Sequence, residues 1–117
     1  MRLTYQRSGG FSGLMQTFSL EVESLPPEEA QELETLVESA DFFSLPEQIV
    51  SDPPGADRFH YTITVETGDR RHRVSAGETA LPENLRPLVE KLGKLSRAAR
   101  YRSNRRVEHN LQPKIDR

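Results

Sequence analysis

Hydrophobic and polar residues alternate along two stretches at the start of the chain, over residues 2–8 and again from Phe18 to Glu23. A period of two is typical of a strand with one buried face. The predicted apolar positions are Leu3, Tyr5, Phe18, Leu20 and Val22. A glycine-rich loop of roughly eight residues joins the two strands, so the pattern predicts a hairpin with a longer connection than the favoured two-residue turn.

Residues 59–77 predict a second hairpin, in which apolar and polar side chains again alternate. A two-residue turn at Gly68-Asp69 would place one set of apolar pairs on a single face. These pairs are Val65 with His72, Ile63 with Val74 and Tyr61 with Ala76. The opposite face would pair Glu66 with Arg71, Thr64 with Arg73 and Thr62 with Ser75. One apolar face and one polar face with a cross-strand ion pair favour this register.

Two segments carry apolar residues at helical spacing instead. The first helix is predicted to begin at Pro26-Pro27, because proline suits the first turn and acidic residues favour a helix N-terminus. Its apolar positions are Ala30, Leu33, Leu36, Val37 and Ala40. The second helix is predicted to begin near Asn84 or Leu85, since Pro87 is tolerated only in a first turn. Its apolar positions are Leu85, Leu88, Val89, Leu92, Leu95 and Ala99.

The order of these elements is strand, strand, helix, strand, strand, helix. Two hairpins with one apolar face each need a cover, which two amphipathic helices supply. We therefore predict an α+β fold with a four-stranded, largely antiparallel sheet and both helices packed on one face. Phe42, Phe43, Leu45 and Pro46 are expected to end the first helix and cap the core, and residues 51–57 have the composition of a loop.

The chain of 117 residues has room for one core of modest size, and we assign it to a single domain over residues 1–96. Its formal net charge of −2 conceals a division. Residues 97–117 hold seven basic and two acidic side chains, which gives +5 and leaves −7 for residues 1–96. This basic segment is predicted to be a helix extension or a mobile tail.

Several classes of chemistry are excluded or disfavoured by the composition. There is no cysteine, so disulfides, thiol nucleophiles and cysteine-based metal sites are absent. No apolar run is long enough to span a membrane and no signal peptide is recognisable, so we expect a cytoplasmic protein without a membrane partner. His60 and His72 fall on opposite faces of the second hairpin and His109 lies in the tail, so we expect no metal, no cofactor and no catalytic residues.

The loop from Gly9 to Leu14 contains three glycines and one bulky aromatic residue, Phe11. It runs from strand to strand and lacks lysine, whereas phosphate-binding glycine loops lead into a helix N-terminus. Two interpretations remain. Phe11 either tucks into the core of a wide loop, with glycines at positive φ, or is presented by a flexible backbone to a partner.

At this loop the sequence resembles the emfourin-type protein inhibitors of protealysin-like metallopeptidases. The specific part of the resemblance is Arg7-Ser8-Gly9-Gly10-Phe11-Ser12-Gly13-Leu14 after a short strand. Residues 40–46, the strand from Phe59 to Val65, and residues 82–92 resemble the family's post-helix segment, second hairpin and closing helix. The similarity extends over roughly residues 1–95 and leaves the basic tail without a counterpart.

The resemblance implies a non-enzymatic protein that reversibly inhibits thermolysin-like zinc metallopeptidases. Such peptidases carry zinc on an H-E-x-x-H helix and prefer a bulky apolar residue just after the scissile bond, which Phe11 or Leu14 could supply. The implied inhibitory loop consists of Ser8, Gly9, Gly10, Phe11, Ser12, Gly13 and Leu14. The Met1 amine is a further candidate contact.

The alternative function is a nucleic-acid-associated or protein-interaction domain that uses the basic C-terminal arm. The acidic body disfavours nucleic acid as the partner, because its −7 charge would repel a phosphate backbone. Tyr101 is the one aromatic residue among the arginines of the arm, which offers little base stacking.

Overall fold

The computed structural model describes residues 1–9, 15–49 and 59–99. Five strands, two α-helices and three short 3₁₀-helices lie in this part of the chain. The strands are β1 (Arg2–Gly9), β2 (Gln16–Glu21), β3 (Gln48–Ile49), β4 (Phe59–Thr67) and β5 (Arg70–Gly77). Helix α1 spans Pro27–Ser39, and helix α2 covers residues 86–99, the last of the described residues. The fold is therefore α+β, as predicted.

The five strands form one mixed sheet in the order β2-β1-β4-β5-β3. β1 pairs antiparallel with both β2 and β4, so the two predicted hairpins join through their first strands. The prediction of four strands is wrong by one: β3 adds at the edge, parallel to β5. Two residues are too few for the period of a strand to be visible in a sequence, and tertiary pairing with Ser75 and Ala76 defines β3.

The second hairpin has the predicted register at every one of the six predicted pairs. The cross-strand ion pair also forms, with Arg71 Nε 3.4 Å from Glu66 Oε1. Gly68 has φ +59° and Asp69 does not have positive φ, which is the pattern of a type II′ turn with glycine at its first central position. Alternation and turn chemistry together therefore fixed this register.

The two faces of the sheet differ in character. One face contributes Leu3, Tyr5, Ile63, Val65, Val74 and Ala76 to a buried core. Leu33 and Val37 of α1 and Leu85, Leu88, Val89 and Leu92 of α2 belong to the same core, so both helices cover this face, as predicted. The opposite face is polar, with hydroxyl pairs between Thr62 and Ser75 at 2.9 Å and between Thr4 and Ser19 at 3.2 Å.

Helix α1 ends in a turn that sends an aromatic side chain into the core. Asp41 adopts the left-handed conformation, with φ +48°, directly after the helix. Phe42 follows and is 1% exposed, whereas its neighbour Phe43 is half-buried. The prediction that this segment closes α1 and caps the core is confirmed for Phe42.

A hydrogen-bonded turn over residues 82–85 leads into helix α2. The N–H groups of Leu85 and Arg86 both donate to the carbonyl of Pro82, each at 3.1 Å. Pro87 therefore lies in the first turn, as predicted, where its missing N–H is not needed. Lys91 Nζ of α2 lies 3.2 Å from Glu32 Oε1 and 3.8 Å from Glu29 Oε1, so ion pairs connect α2 to α1.

No helix within the described ranges is long and apolar enough to cross a membrane.

Candidate functional site

The glycine-rich loop connects the inner strand β1 to the edge strand β2. Their last pair is Arg7 with Gln16, so the connection consists of residues 8–15, close to the predicted length. Gly10, Phe11, Ser12, Gly13 and Leu14 lie outside the described residues. The two interpretations of Phe11 therefore both remain predictions.

Ser8 and Gly9 are the members of the predicted inhibitory loop that the structure describes. They continue β1 past its pairing with β2 and pair with His60 and Phe59 of β4. The loop therefore leaves β1 from a backbone that is held by an inner strand of the sheet. Anchoring of this kind reduces the conformational entropy that a loop loses when it binds.

Gly9 has φ +93°, a conformation that residues with a Cβ rarely adopt. We expect Gly9→Ala to lower the free energy of unfolding by about 1–2 kcal/mol, because Cβ meets the following carbonyl oxygen at positive φ. The substitution should also change the direction in which the backbone leaves β1 and enters the loop. Urea denaturation followed by circular dichroism measures the first effect.

Gly77 provides the matched control, since it ends β5 at the same end of the sheet. Its φ of −70° suits any residue, and a Cβ there would meet nothing within 4 Å. Gly77→Ala should therefore be neutral or stabilising by up to about 1 kcal/mol. Equal destabilisation by both substitutions would contradict the role of positive φ at Gly9.

Arg7 holds the base of the loop together. Its guanidinium lies over the ring of Phe59, 4.4 Å from the ring centre, and its Nη2 donates to Gln16 Oε1 at 2.9 Å. One side chain therefore connects β1 to β4 and to β2 at the point where the loop begins. In the sequence, Arg7 belongs to the stretch that resembles the family but was assigned no role of its own.

Met15 is a candidate contact that the sequence analysis missed. Its side chain is 65% exposed and is the one large hydrophobic side chain classed as exposed in the described part of the molecule. It directly follows the loop and precedes β2. Its position in the sequence, next to Leu14, was the available signal.

Met1 lies at the other end of β1 from the loop. An eight-residue strand rises by about 3.3 Å per residue, which separates Met1 from the loop by about 25 Å. The Met1 amine forms an ion pair with Glu23, whose Oε2 is 2.8 Å away, and this ammonium group lowers the pKa of the Glu23 carboxyl. The Met1 amine and the described start of the loop at Gly9 therefore lie at opposite ends of β1.

The two described histidines, His60 and His72, are not arranged to bind one metal ion. His60 and His72 lie on opposite faces of the second hairpin, as predicted, and His109 lies outside the described residues. His72 Nε2 is 2.7 Å from the Leu45 carbonyl oxygen, and its ring packs edge-to-face against Phe42. Among the residues that the structure describes, no group of three or more histidines and carboxylates could hold a metal ion.

The protein is an α+β domain with a glycine-rich loop whose first residues are anchored in the sheet. A family model described as Emfourin matches residues 5–93. The match spans well over half of the chain and includes the whole loop, so the chain belongs to the Emfourin family. Family membership confirms the resemblance inferred from the sequence, and with it the prediction that the protein is not an enzyme.

A search of curated proteins found no match. Among solved structures, the chain is similar to one titled emfourin (M4in) from Serratia proteamaculans, an M4 family peptidase inhibitor. The two chains are 19% identical, the alignment covers 75% of this chain and 84% of that chain, and the TM-score is 0.41.

Proposed function

We propose that this protein inhibits thermolysin-like zinc metallopeptidases by inserting the loop of residues 8–14 into the active-site cleft. The observation that carries the proposal is the family match, which runs from β1 through the whole loop and on to α2. The Serratia protein, an M4 family peptidase inhibitor, indicates the class of target.

The geometry around the loop supports an insertion mechanism. Arg7 and the Gly9–Phe59 pairing fix the start of the loop, and the sheet fixes its end at Gln16. A loop held at both ends loses little conformational entropy when it enters a preformed cleft. Its glycines allow the backbone to approach the walls of the cleft without Cβ clashes, and Phe11 or Leu14 provides the apolar side chain.

The proposal is tested by titrating the purified protein into several thermolysin-like peptidases and following cleavage of a short peptide substrate. We expect inhibition to be reversible and competitive, because the loop and the substrate would occupy the same cleft. Full activity of every enzyme at the highest inhibitor concentration would overturn the proposal.

An N-terminally extended variant distinguishes inhibition by the loop from inhibition by the Met1 amine. Two extra residues before Met1 would remove its amine from Glu23 and leave the loop, about 25 Å away, unchanged. We expect the inhibition constant of this extended protein to stay within about threefold of wild type, which is under about 0.7 kcal/mol. A loss of inhibition in a protein of unchanged thermal stability would assign the contact to the N-terminus instead.

A further inference from the structure

A cleft of about 200 Å³ opens between strands β1 and β4 and helix α2. Tyr5, Arg7 and Tyr61 line it from β1 and β4. Val89, Glu90, Lys94 and Arg97 line it from α2. Because Arg7 immediately precedes Ser8, the mouth of the cleft adjoins the start of the loop.

The cleft is basic in a domain that is otherwise acidic. Arg7, Lys94 and Arg97 contribute three positive charges against one carboxylate, Glu90, whereas residues 1–97, which include all four, together carry −6. Within residues 1–9, 15–49 and 59–99, the ion pairs join other groups and include none of these three cations. Three cations against one carboxylate in a concave site produce a local positive potential.

Arg7 is held in place by its contacts with both neighbouring strands, and Arg97 lies against its own helix. Arg7 stacks on Phe59 and donates to Gln16, which fixes its guanidinium at the floor of the cleft. Arg97 lies back along α2, and its Nη1 would be 3.6 Å from a Cβ placed on Gly93. Side chains fixed before binding lose less entropy when they meet a ligand.

Gly93 also brings α2 close to the sheet. The Tyr5 hydroxyl would lie 3.4 Å from the same Cβ position, so the tyrosine packs directly beneath the helix backbone. Beside it, burial raises the pKa of the Tyr61 phenol, and the neighbouring Tyr5 and Glu78 add to the rise. Tyr61 is therefore protonated at neutral pH and has a hydroxyl that can donate to an anion.

We propose that this basic cleft docks a carboxylate-bearing segment of the target peptidase alongside the loop. The inference rests on the proposed inhibitory function and adds a second, electrostatic contact to it. A carboxylate matches the cleft in charge, and guanidinium and tyrosine hydroxyl groups are the donors that carboxylates accept from. A phosphate backbone matches less well, because the acidic body would repel a long polyanion.

The charge-reversing double variant Lys94→Glu with Arg97→Glu tests the inference on the full chain. Both side chains are exposed on α2, so we expect the fold to persist. We expect the association rate constant for inhibition to fall by about tenfold or more at low salt, because long-range attraction would become repulsion. The dissociation rate constant should change less, since the loop would be unaltered.

Salt dependence provides an independent measurement with the unmodified protein. Between about 0.01 M and 0.15 M salt, the Debye length falls from about 30 Å to about 8 Å. The wild-type association rate constant should decrease over this range, and that of the double variant should not. A wild-type rate that is independent of salt would contradict the inference.

The control is Arg71→Glu with Arg73→Glu, which changes the net charge by the same amount on the polar face of the sheet. We expect this pair to retain most of the wild-type association rate. If both doubles slow association equally, overall charge rather than the cleft is responsible, and the inference fails. Thermal denaturation of each variant establishes that it is folded.

Two other outcomes are distinguishable. If the wild type inhibits no peptidase, the proposed function itself fails. If Lys94→Glu with Arg97→Glu leaves inhibition unchanged but abolishes binding to a short DNA duplex, the cleft belongs to a nucleic-acid surface and the inference is overturned.

Discussion

Replacing Phe11 with alanine is expected to raise the inhibition constant by about 30- to 1,000-fold, which corresponds to about 2–4 kcal/mol of binding free energy. The physical reason is that a bulky apolar side chain in a desolvated pocket provides much of the binding energy of an inserted loop. The measurement is a titration of a thermolysin-like peptidase with wild-type protein and with Phe11→Ala.

Two controls accompany this variant. Phe11→Leu keeps a bulky apolar side chain and should retain most of the inhibition. Leu14→Ala tests the second apolar residue of the loop and should have the smaller effect of the two alanine substitutions if Phe11 fills the pocket. Thermal denaturation decides between the two interpretations of Phe11: a large loss of stability in Phe11→Ala would show that the ring belongs to the core.

Phe42→Ala is expected to have the largest effect on stability, lowering the free energy of unfolding by about 3–5 kcal/mol. Among the described residues, Phe42 has the largest fully buried side chain. Its ring packs edge-to-face against Phe43 and His72. Removing it leaves a cavity that the surrounding core fills only in part. For a domain of this size, 1 kcal/mol lowers Tm by about 4–8 °C, so the shift should exceed about 12 °C.

The adjacent residue provides a matched control. Phe43 is only half-buried, and the Arg70 guanidinium covers its ring at 3.9 Å from the ring centre. Phe43→Ala should therefore cost much less than Phe42→Ala in urea denaturation. Similar losses for the two would contradict the assignment of Phe42 to the core and Phe43 to its boundary.

Phe42 and the start of the loop lie near opposite ends of β4. Phe42 contacts His72, which pairs with Val65 near the β4–β5 turn, whereas the loop begins beside Phe59. At temperatures where Phe42→Ala remains folded, its inhibition constant should therefore match that of wild type. Loss of stability and loss of binding would then be separable within one domain.

The sequence by itself determined the local structure of this protein. Alternation over nine residues of β4 and eight of β5, with Gly68 at the turn, left one register that buries the apolar face. Helical spacing and the first-turn prolines located the starts of α1 and α2 to within two residues. The glycine-rich loop motif was also visible without a structure, because it lies in one contiguous stretch.

Only the tertiary structure decided how these elements combine. The pairing of β1 with β4 and the addition of β3 depend on contacts between residues far apart in the chain, which periodicity does not encode. The separation of Met1 from the loop follows from the direction of β1, and the basic cleft arises because Gly93 lets α2 approach Tyr5. Local patterns report which face of an element is buried, whereas packing determines which elements, and which charges, come together.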